Sequence, residues 1–297
     1  MREKLKAHLF TLPRWFAAPF FGCSLLIGAV LAGGLNGNAW IALVGGLLIM
    51  AGGHSFNSFL DYSWTGLDKG EVGDRSAEKD YTGGQSIIAL GIVSEKEVLF
   101  NALGWYVLAL VPVIFLTITA SWVVLPLAIA GMLVTFLYSW GKFHWIHETA
   151  LALGVGPVAV LMGMFSVNPS PPWGIGLLVS VPPAVILCYL GLAFDEWPDA
   201  EANLKKGVKS IAYKVWEYGI SLEWYLMSWF LFVLVYQVFL ITIDVLHPLT
   251  GIAFLTFPLL ISLLVLLKHN FRKVGGFLVL TVALYIILLV VGQAIGG

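Results

Sequence analysis

Two short segments of the sequence concentrate side chains that could hold a metal ion. They contain ten of the 17 carboxylates of the 297-residue chain. In the first segment, Asn57 and Asp61 lie four residues apart. In the second, Asp195, Asp199 and Asn203 repeat that spacing. Residues four apart share one face of a helix, if the second helix continues through its proline. Because Mg²⁺ prefers oxygen ligands, the spacing predicts a Mg²⁺ site built from two facing sets of side chains.

A Mg²⁺ site of this kind usually binds substrate phosphate directly, so a diphosphate is the expected ligand. Basic side chains near the acids would balance the remaining phosphate charge. The candidates for this role are Arg75, Lys142 and Lys209, and Asp68 is a candidate additional metal ligand. Ordinary solvated loop charges are the alternative interpretation. Ionisable groups that emerge from the ends of apolar helices usually mark a functional site, which favours the first interpretation for Asp61 and Asp199.

The elements that must position these residues are membrane-spanning helices. The chain is 59% hydrophobic and 11% charged, which excludes a soluble domain. Three runs lack Asp, Glu, Lys and Arg and are each about two crossings long, since one crossing takes about 20 residues. These runs are 15–60, 98–141 and 149–194, of 46, 44 and 46 residues. Single crossings follow at 224–243, 245–267 and 274–297. The sequence therefore predicts an all-α polytopic membrane protein of nine helices, in one bundle around a central cavity.

The basic residues predict the orientation of this bundle. All 16 lysines and arginines fall before the first helix or in loops that follow even-numbered helices. The positive-inside rule places these loops and the N-terminus in the cytoplasm. We expect a multi-pass protein integral to the cell membrane, with its active site on the cytoplasmic side. The sequence shows no basic face typical of nucleic-acid binding, and its two cysteines lie in apolar stretches that suggest buried thiols.

The domain organisation follows from the placement of the two acidic segments. Each segment closes a two-helix hairpin, at matching places in two parts of the chain. We expect one transmembrane domain over 1–297, with pseudo-repeat halves at about 15–141 and 149–267 and a ninth helix at 274–297. Internal repeats with a site between them are common in membrane proteins.

The first acidic segment resembles the UbiA superfamily of intramembrane prenyltransferases. The family motif is N-x-x-x-D-x-x-x-D, which Asn57 and Asp61 match, while Thr65 replaces the third residue. The branch that prenylates 1,4-dihydroxy-2-naphthoate resembles N-x-x-x-D-Y-x-x-G-x-D. The residues that fit this pattern, with one extra residue before the glycine, are Asn57, Asp61, Tyr62, Gly66 and Asp68. The T-G-G segment beginning at Thr82 is also similar to that branch.

The second acidic segment resembles the second family motif, D-x-x-x-D followed by G-x-K-[ST]. Aligning the G-V-K-S sequence at 207–210 places Asp199 at the first aspartate and Asn203 at the second. Asp195, one turn earlier, can compensate for that substitution. Between the fourth and fifth helices, Tyr138, Lys142 and Glu148 resemble family residues near the diphosphate and the acceptor.

The resemblance implies Mg²⁺-dependent transfer of an isoprenyl group from an allylic diphosphate to a small aromatic acceptor, with 1,4-dihydroxy-2-naphthoate as first choice. The tail of the prenyl donor would lie among the helices or in membrane lipid. The implied catalytic residues are Asp61, Asp199 and Tyr138. The implied metal ligands are Asn57, Asp61, Asp68, Asp195, Asp199 and Asn203. Arg75, Lys142 and Lys209 would contact the diphosphate, and Tyr138 or Glu148 would activate the acceptor.

Other functions remain as alternatives. Within prenyl transfer, the acceptor could be a glycerol-phosphate lipid precursor, for which Lys79, Lys205 and Lys206 could supply an anion site. A secondary transporter would also place polar groups between repeats, although typically near the middle of the bilayer. A lipid phosphotransferase would share the Mg²⁺ and diphosphate chemistry, but the sequence lacks the D-G-x-x-A-R segment typical of alcohol phosphotransferases.

Overall fold

The computed structural model describes residues 2–67, 69, 86–267 and 271–296. Within these ranges, the side chains of Ser86, Asp199, Leu267 and residues 271–275 lie outside the description. The described residues form helices and turns, without a strand. Nine of the described helices are long and apolar enough to cross a membrane, which confirms the predicted architecture. In chain order they are α1 Arg2–Ala32, α2 Gly37–Trp64, α3 Glu95–Thr119, α4 Val124–Gly141, α5 His147–Val167, α6 Trp173–Glu196, α7 Leu222–Thr242, α8 Pro248–Leu266 and α9 Gly276–Gly296.

Local sequence explains where several of these helices begin. Asn36 caps α2 by accepting a hydrogen bond from the backbone N–H of Ala39 at 3.2 Å. Ser94 and Glu97 form a reciprocal capping box at the start of α3. The turn between α1 and α2 uses Gly33 and Gly34 at φ of 151° and 98°, a region that favours glycine. These two glycines therefore explain how the chain turns between α1 and α2.

Two spans differ in detail from the predicted helices. The first begins at Arg2 instead of residue 15, and its backbone turns at Arg14, which has a φ of 52°. The eighth begins as a 3₁₀ helix over Pro248–Leu255 and continues as an α-helix over Thr256–Leu267. The turn at Arg14 directly follows Pro13, whose ring cannot continue a regular helical hydrogen-bond pattern.

The core of the bundle has two main apolar clusters that share α1 and α5. The smaller cluster joins these helices to α2, α3 and α4, through residues that include Leu25, Ala42 and Val113. The larger cluster joins them to α6 through α9, through residues that include Phe20 and Phe230. Helices α1 and α5 thus form the seam of the bundle. The side of the membrane on which the N-terminus lies, and the division into repeat halves, stay predictions.

Two glycines allow the backbones of α1 and α5 to approach each other closely at this seam. A Cβ atom added to Gly28 would lie 2.0 Å from the carbonyl oxygen of Val160. A Cβ atom added to Gly163 would lie 1.9 Å from the carbonyl oxygen of Leu25. Small residues allow such close approach, which is a principal source of helix association in a membrane. Any larger residue at either position would force α1 and α5 apart.

Three spans contain π-helical turns close to the acidic segments. They are Leu60–Trp64 in α2, Gly154–Val158 in α5 and Ile186–Gly191 in α6. A π-turn widens the helix locally and often occurs at a functional site. The one in α5 contains Pro157, which lacks the N–H that a regular α-helix would use. The π-turns of α5 and α6 contribute Gly154, Val158, Leu187 and Gly191 to the lining of a shared space between the helices.

Candidate functional site

The shared space is an elongated cavity of about 190 Å³ within the bundle. Its walls come mainly from α1, α2, α4, α5 and α6, and most of the lining residues are apolar or glycine. The polar side chains that line it are Arg14, His54, Asn57, Thr135, Tyr138 and Asp195. The cavity therefore combines a long apolar interior with polar groups that belong to the ends of α2, α4 and α6.

A buried polar network lies next to the cavity, beside the polar residues of α2. Asp61 has no exposed surface, and it lies in the π-turn of α2. Its Oδ2 atom accepts hydrogen bonds from the Asn57 amide at 2.9 Å and from the ammonium group of Lys142. The Asn57 amide also donates to the hydroxyl of Ser139 at 2.9 Å. The structure thus brings together three of the predicted site residues. Asn57 and Asp61 belong to α2, and Lys142 directly follows α4.

The second carboxylate oxygen of Asp61 gives this network an unused acceptor. Oδ1 is buried and accepts no hydrogen bond. A buried carboxylate oxygen without a partner is costly, because it has lost its water. The Asn57 side-chain oxygen could accompany it as a neutral ligand. Asp61 and Asn57 therefore fit a Mg²⁺ ion, which prefers oxygen donors.

The acidic segment at the end of α6 follows a less regular path than predicted. The α-helix ends at Glu196, a 3₁₀ turn covers Trp197–Asp199, and a short helix continues over Ala200–Lys205. Pro198 lies in the 3₁₀ turn, so the expected uniform α-helical stripe is wrong. Asp195 lines the cavity. The side chain of Asp199 lies outside the described residues.

Asn203 is partly buried and engaged elsewhere. Its amide group donates a hydrogen bond to the hydroxyl of Tyr213 at 2.7 Å. This contact joins the short helix after α6 to the helix Ile211–Glu217. Asn203 does not occur among the described residues that line the cavity. This contact uses the amide nitrogen and not the oxygen that would bind a metal, so the predicted role of Asn203 as a metal ligand stays a prediction.

The predicted phosphate contacts have different surroundings. The Lys142 side chain is 13% exposed and points to Asp61. Lys209 has an exposed side chain, while its backbone N–H donates to the carbonyl of Lys142 at 2.6 Å. Asp68 and Arg75 lie outside the described residues. Lys142 is thus the basic residue that the structure places directly at the network of Asn57 and Asp61.

Tyr138 occupies the wall of the cavity next to Lys142. The ammonium nitrogen of Lys142 lies 5.0 Å from the centre of its ring, within range of a cation–π contact. On another side, the ring makes an edge contact with His147 at 5.6 Å between centroids. Tyr138 can therefore present both a ring and a hydroxyl group to a ligand in the cavity.

Arg14 and His54 contribute two further polar groups to the cavity wall. The Nη2 atom of Arg14 lies 3.4 Å from the hydroxyl of Ser58. His54 makes an edge contact with Phe21, and its Nε2 atom is buried without a hydrogen bond. The structure therefore places both side chains in the wall of the cavity.

Sequence reasoning missed a second buried cluster behind Tyr138. It consists of His147, Glu148 and Glu196, which are 0%, 3% and 7% exposed. His147 lies just after the loop between α4 and α5, yet its side chain is completely enclosed. Glu148, a predicted acceptor-activating residue, faces His147 and does not occur among the described cavity-lining residues. No spacing in the sequence connects residues 147 and 196, so no pattern could have revealed the cluster.

Outside the membrane spans, the acidic segment after α6 is an ordinary exposed surface. Lys205 donates a hydrogen bond to Glu201 at 2.7 Å. This bond and the charge of Lys205 lower the pKa of Glu201. Lys206 instead reaches across to the backbone carbonyl of Leu67 at 2.8 Å. That contact joins the loop after α6 to the loop after α2 beside the polar end of the cavity.

Comparison with known proteins identifies the fold. No family model and no curated protein sequence matches the chain. Among solved structures, a digeranylgeranylglyceryl phosphate synthase is 15% identical, with a TM-score of 0.61 over 99% of this chain and 98% of that one. A UbiA homologue from Archaeoglobus fulgidus bound to DMAPP and Mg²⁺ is 14% identical, with a TM-score of 0.57 over 94% and 98%. A UbiA homologue from Aeropyrum pernix K1, in its apo form, is 14% identical, with a TM-score of 0.61 over the same shares. The chain thus has the fold of the UbiA homologues over nearly its whole length.

Proposed function

We propose that this protein is a Mg²⁺-dependent prenyltransferase that transfers an isoprenyl group from an allylic diphosphate within the membrane. The observation that carries the proposal is the apolar cavity lined at one end by Asn57 and Asp195. Behind Asn57, Asp61 bonds to the Asn57 amide and to Lys142. A prenyl diphosphate has the same division into a long apolar tail and a charged head. The fold supports the proposal, because a UbiA homologue of the same fold is described as bound to DMAPP and Mg²⁺.

The metal ligands would come from both acidic segments. Asp61 offers its unpartnered Oδ1 atom, and Asn57 and Asp195 lie beside the same cavity. Asp199, Asn203 and Asp68 are further ligands proposed from the motifs. When bound, Mg²⁺ would neutralise the leaving diphosphate. This arrangement would place the active site at the polar end of the bundle, which we expect to face the cytoplasm.

Lys142 would act on the diphosphate directly. Its ammonium group is held at the mouth of the network by Asp61 and by the face of Tyr138. A lysine held in place before the reaction stabilises charge that develops on the leaving group. Lys209 and Arg75 are proposed to assist from the loops. Residues of the chain would therefore neutralise the phosphate charge from two sides.

The apolar walls would protect the allylic cation from water. Phe20, Phe21, Phe194 and Tyr138 line the cavity, and aromatic faces stabilise a nearby cation. The cavity lining extends along α2 from Asn57 to Gly46. Eleven helical residues correspond to about 16 Å, which gives the first part of a prenyl tail an enclosed path. The rest of the tail would lie among the helices or in lipid.

The preferred acceptor is 1,4-dihydroxy-2-naphthoate. The segments around Asp61 and Thr82 resemble the branch that uses it. An electron-rich ring attacks the carbocation through its own carbon, so the protein mainly has to hold the two reactants in line. The aromatic and apolar lining of the cavity suits such a ring, and Tyr138 is the proposed residue for acceptor activation.

A glycerol-phosphate acceptor is the second candidate. It is favoured by the similarity of this fold to that of a digeranylgeranylglyceryl phosphate synthase over 99% of the chain. Such an acceptor would need an additional anion site. Lys205 and Lys206 lie in the loop after α6, and Lys206 already contacts the loop after α2.

The two acceptors can be separated by one experiment. Purified protein is incubated with geranylgeranyl diphosphate, Mg²⁺ and each acceptor, and products are identified by mass spectrometry. We expect prenylation of the naphthoate, and no product with the Asp61→Asn variant. Product from the glycerol phosphate alone would replace the first acceptor by the second. No product from either acceptor would argue against prenyl transfer. Thr65 and Asn203, which replace motif aspartates, would then be the first residues to test.

A further inference from the structure

The buried cluster of His147, Glu148 and Glu196 contains two carboxylates on either side of one imidazole ring. Glu196 Oε1 lies 3.0 Å from Nε2 of His147. Glu148 Oε2 lies 3.1 Å from Nδ1, as an ion-pair contact without hydrogen-bond alignment. All three side chains are at least nine-tenths buried. Two buried carboxylates are strongly unfavourable unless a positive charge lies between them.

The remaining oxygen of each carboxylate accepts a hydrogen bond from the short segment 209–211. The Ser210 hydroxyl donates to Glu196 Oε2 at 2.5 Å. The Ile211 N–H donates to Glu148 Oε1 at 2.6 Å. The preceding residue, Lys209, donates its N–H to the carbonyl of Lys142. Residues 209–211 are therefore attached to the ends of α4, α5 and α6 at once.

Residues 209–211 are connected to the proposed diphosphate site through Lys142. The side chain of Lys142 contacts Asp61, while its carbonyl accepts from Lys209. Glu196 directly follows Asp195, which lines the cavity. The cluster thus connects the first acidic segment to the second, although none of its three members occurs among the described cavity-lining residues.

We propose that His147 is a positioning residue that lies between Glu148 and Glu196 and holds the two side chains together. In this role it fixes residues 209–211 and sets the distance between Lys142 and Asp195. The two carboxylates approach different ring nitrogens of His147, so the ring lies between them and contacts both. The role in donor binding rests on the proposed function, while the role in fixing residues 209–211 does not.

Donor binding tests the role at the site. The affinity of geranylgeranyl thiodiphosphate with Mg²⁺ is measured for the wild type, His147→Gln, Glu196→Gln and the double variant. We expect His147→Gln to weaken binding at least tenfold. The double variant should bind more tightly than His147→Gln, because it removes one of the two carboxylates left without a counter-charge. Equal affinity of His147→Gln and the wild type would overturn the proposal.

Gln237→Leu is the matched control for a general loss of stability. Gln237 is fully buried in α7, where it bonds to Tyr285 and to the carbonyl of Thr250. It does not occur among the described cavity-lining residues. This variant should lower the melting temperature without weakening donor binding. A tenfold loss of affinity in the control as well would remove the evidence for a specific role of His147 and overturn the proposal.

Hydrogen exchange tests the same role without any ligand. The amides of Lys209 and Ile211 should exchange at least tenfold faster in His147→Gln, and at the wild-type rate in Gln237→Leu. A wild type that binds no donor would contradict the proposed function, yet this measurement would still decide the role of His147. Unchanged exchange in His147→Gln would overturn that role. A stoichiometric transition metal in the wild type that is lost in His147→Gln would overturn the proposal that the imidazole ring itself joins the two carboxylates.

Discussion

Asp61 combines complete burial, one oxygen bonded to Asn57 and Lys142, and one oxygen without a hydrogen bond. We expect Asp61→Asn to weaken Mg²⁺-dependent binding of a prenyl thiodiphosphate by at least tenfold, because the amide supplies a weaker metal ligand. Asp199→Asn should have the same effect if the second motif supplies a ligand. Calorimetry on the purified protein provides the measurement. Glu201→Gln is the control, because Glu201 is an exposed carboxylate of the same acidic segment. Unchanged affinity in both aspartate variants would reject the metal site.

Also at the scale of residues, the sequence predicted contacts between residues that lie close together in the chain. Asn57 and Asp61 are one helical turn apart, and their contact follows from that spacing. The pair of His147 and Glu196 is separated by 49 positions and depends on how α5 and α6 pack. Spacing carries no information about such a contact. The difference explains why the acidic network was predicted and the buried histidine cluster was not.

At the scale of the helices, the contact between α1 and α5 gives a direct test of the fold. Gly163→Ala would place a methyl group against the backbone of Leu25. We expect it to destabilise the protein by about 2 kcal/mol, in the range of overpacked cores, and to lower the melting temperature in detergent. Gly174→Ala is the control, since a Cβ there meets no atom within 4 Å. Equal melting temperatures of the two variants would contradict the close packing of α1 and α5.

The existence of the helices was predictable, and their local deviations were not. Crossing a bilayer requires about 20 apolar residues, so charge-free runs indicate the number of spans. The π-turns in α2, α5 and α6 involve small differences in backbone energy that tertiary packing decides. Pro157 was a visible signal for one of them. The 3₁₀ turn at Trp197–Asp199 was signalled by Pro198, but its effect on Asn203 depended on Tyr213.

At the scale of the whole molecule, the orientation in the membrane is the main untested prediction. Single cysteines are introduced into a variant that lacks Cys23 and Cys188, and intact cells are labelled with an impermeant reagent. Asn36 and Ser170, in the turns after α1 and α5, should react from outside. Lys205 should react only after the cells are opened, because the basic loops are expected in the cytoplasm. Labelling of all three positions from the same side would contradict the nine-helix topology.

The contact of α1 with α5 and the contact of Asp61 with Lys142 also constrain how the chain folds while it is being synthesised. Gly28 meets Val160 of α5 only after residue 160 has been synthesised, roughly 7–26 s later at about 5–20 residues per second. Ser24 of α1 bonds to its own helix at Phe20, so this polar group is satisfied during the delay. Asp61 can bond to Asn57 of its own helix, but the positive charge of Lys142 follows only 81 residues later. The nascent α2 must therefore keep its acidic end at the water interface until α4 is complete, and the future site closes only when the fourth helix arrives.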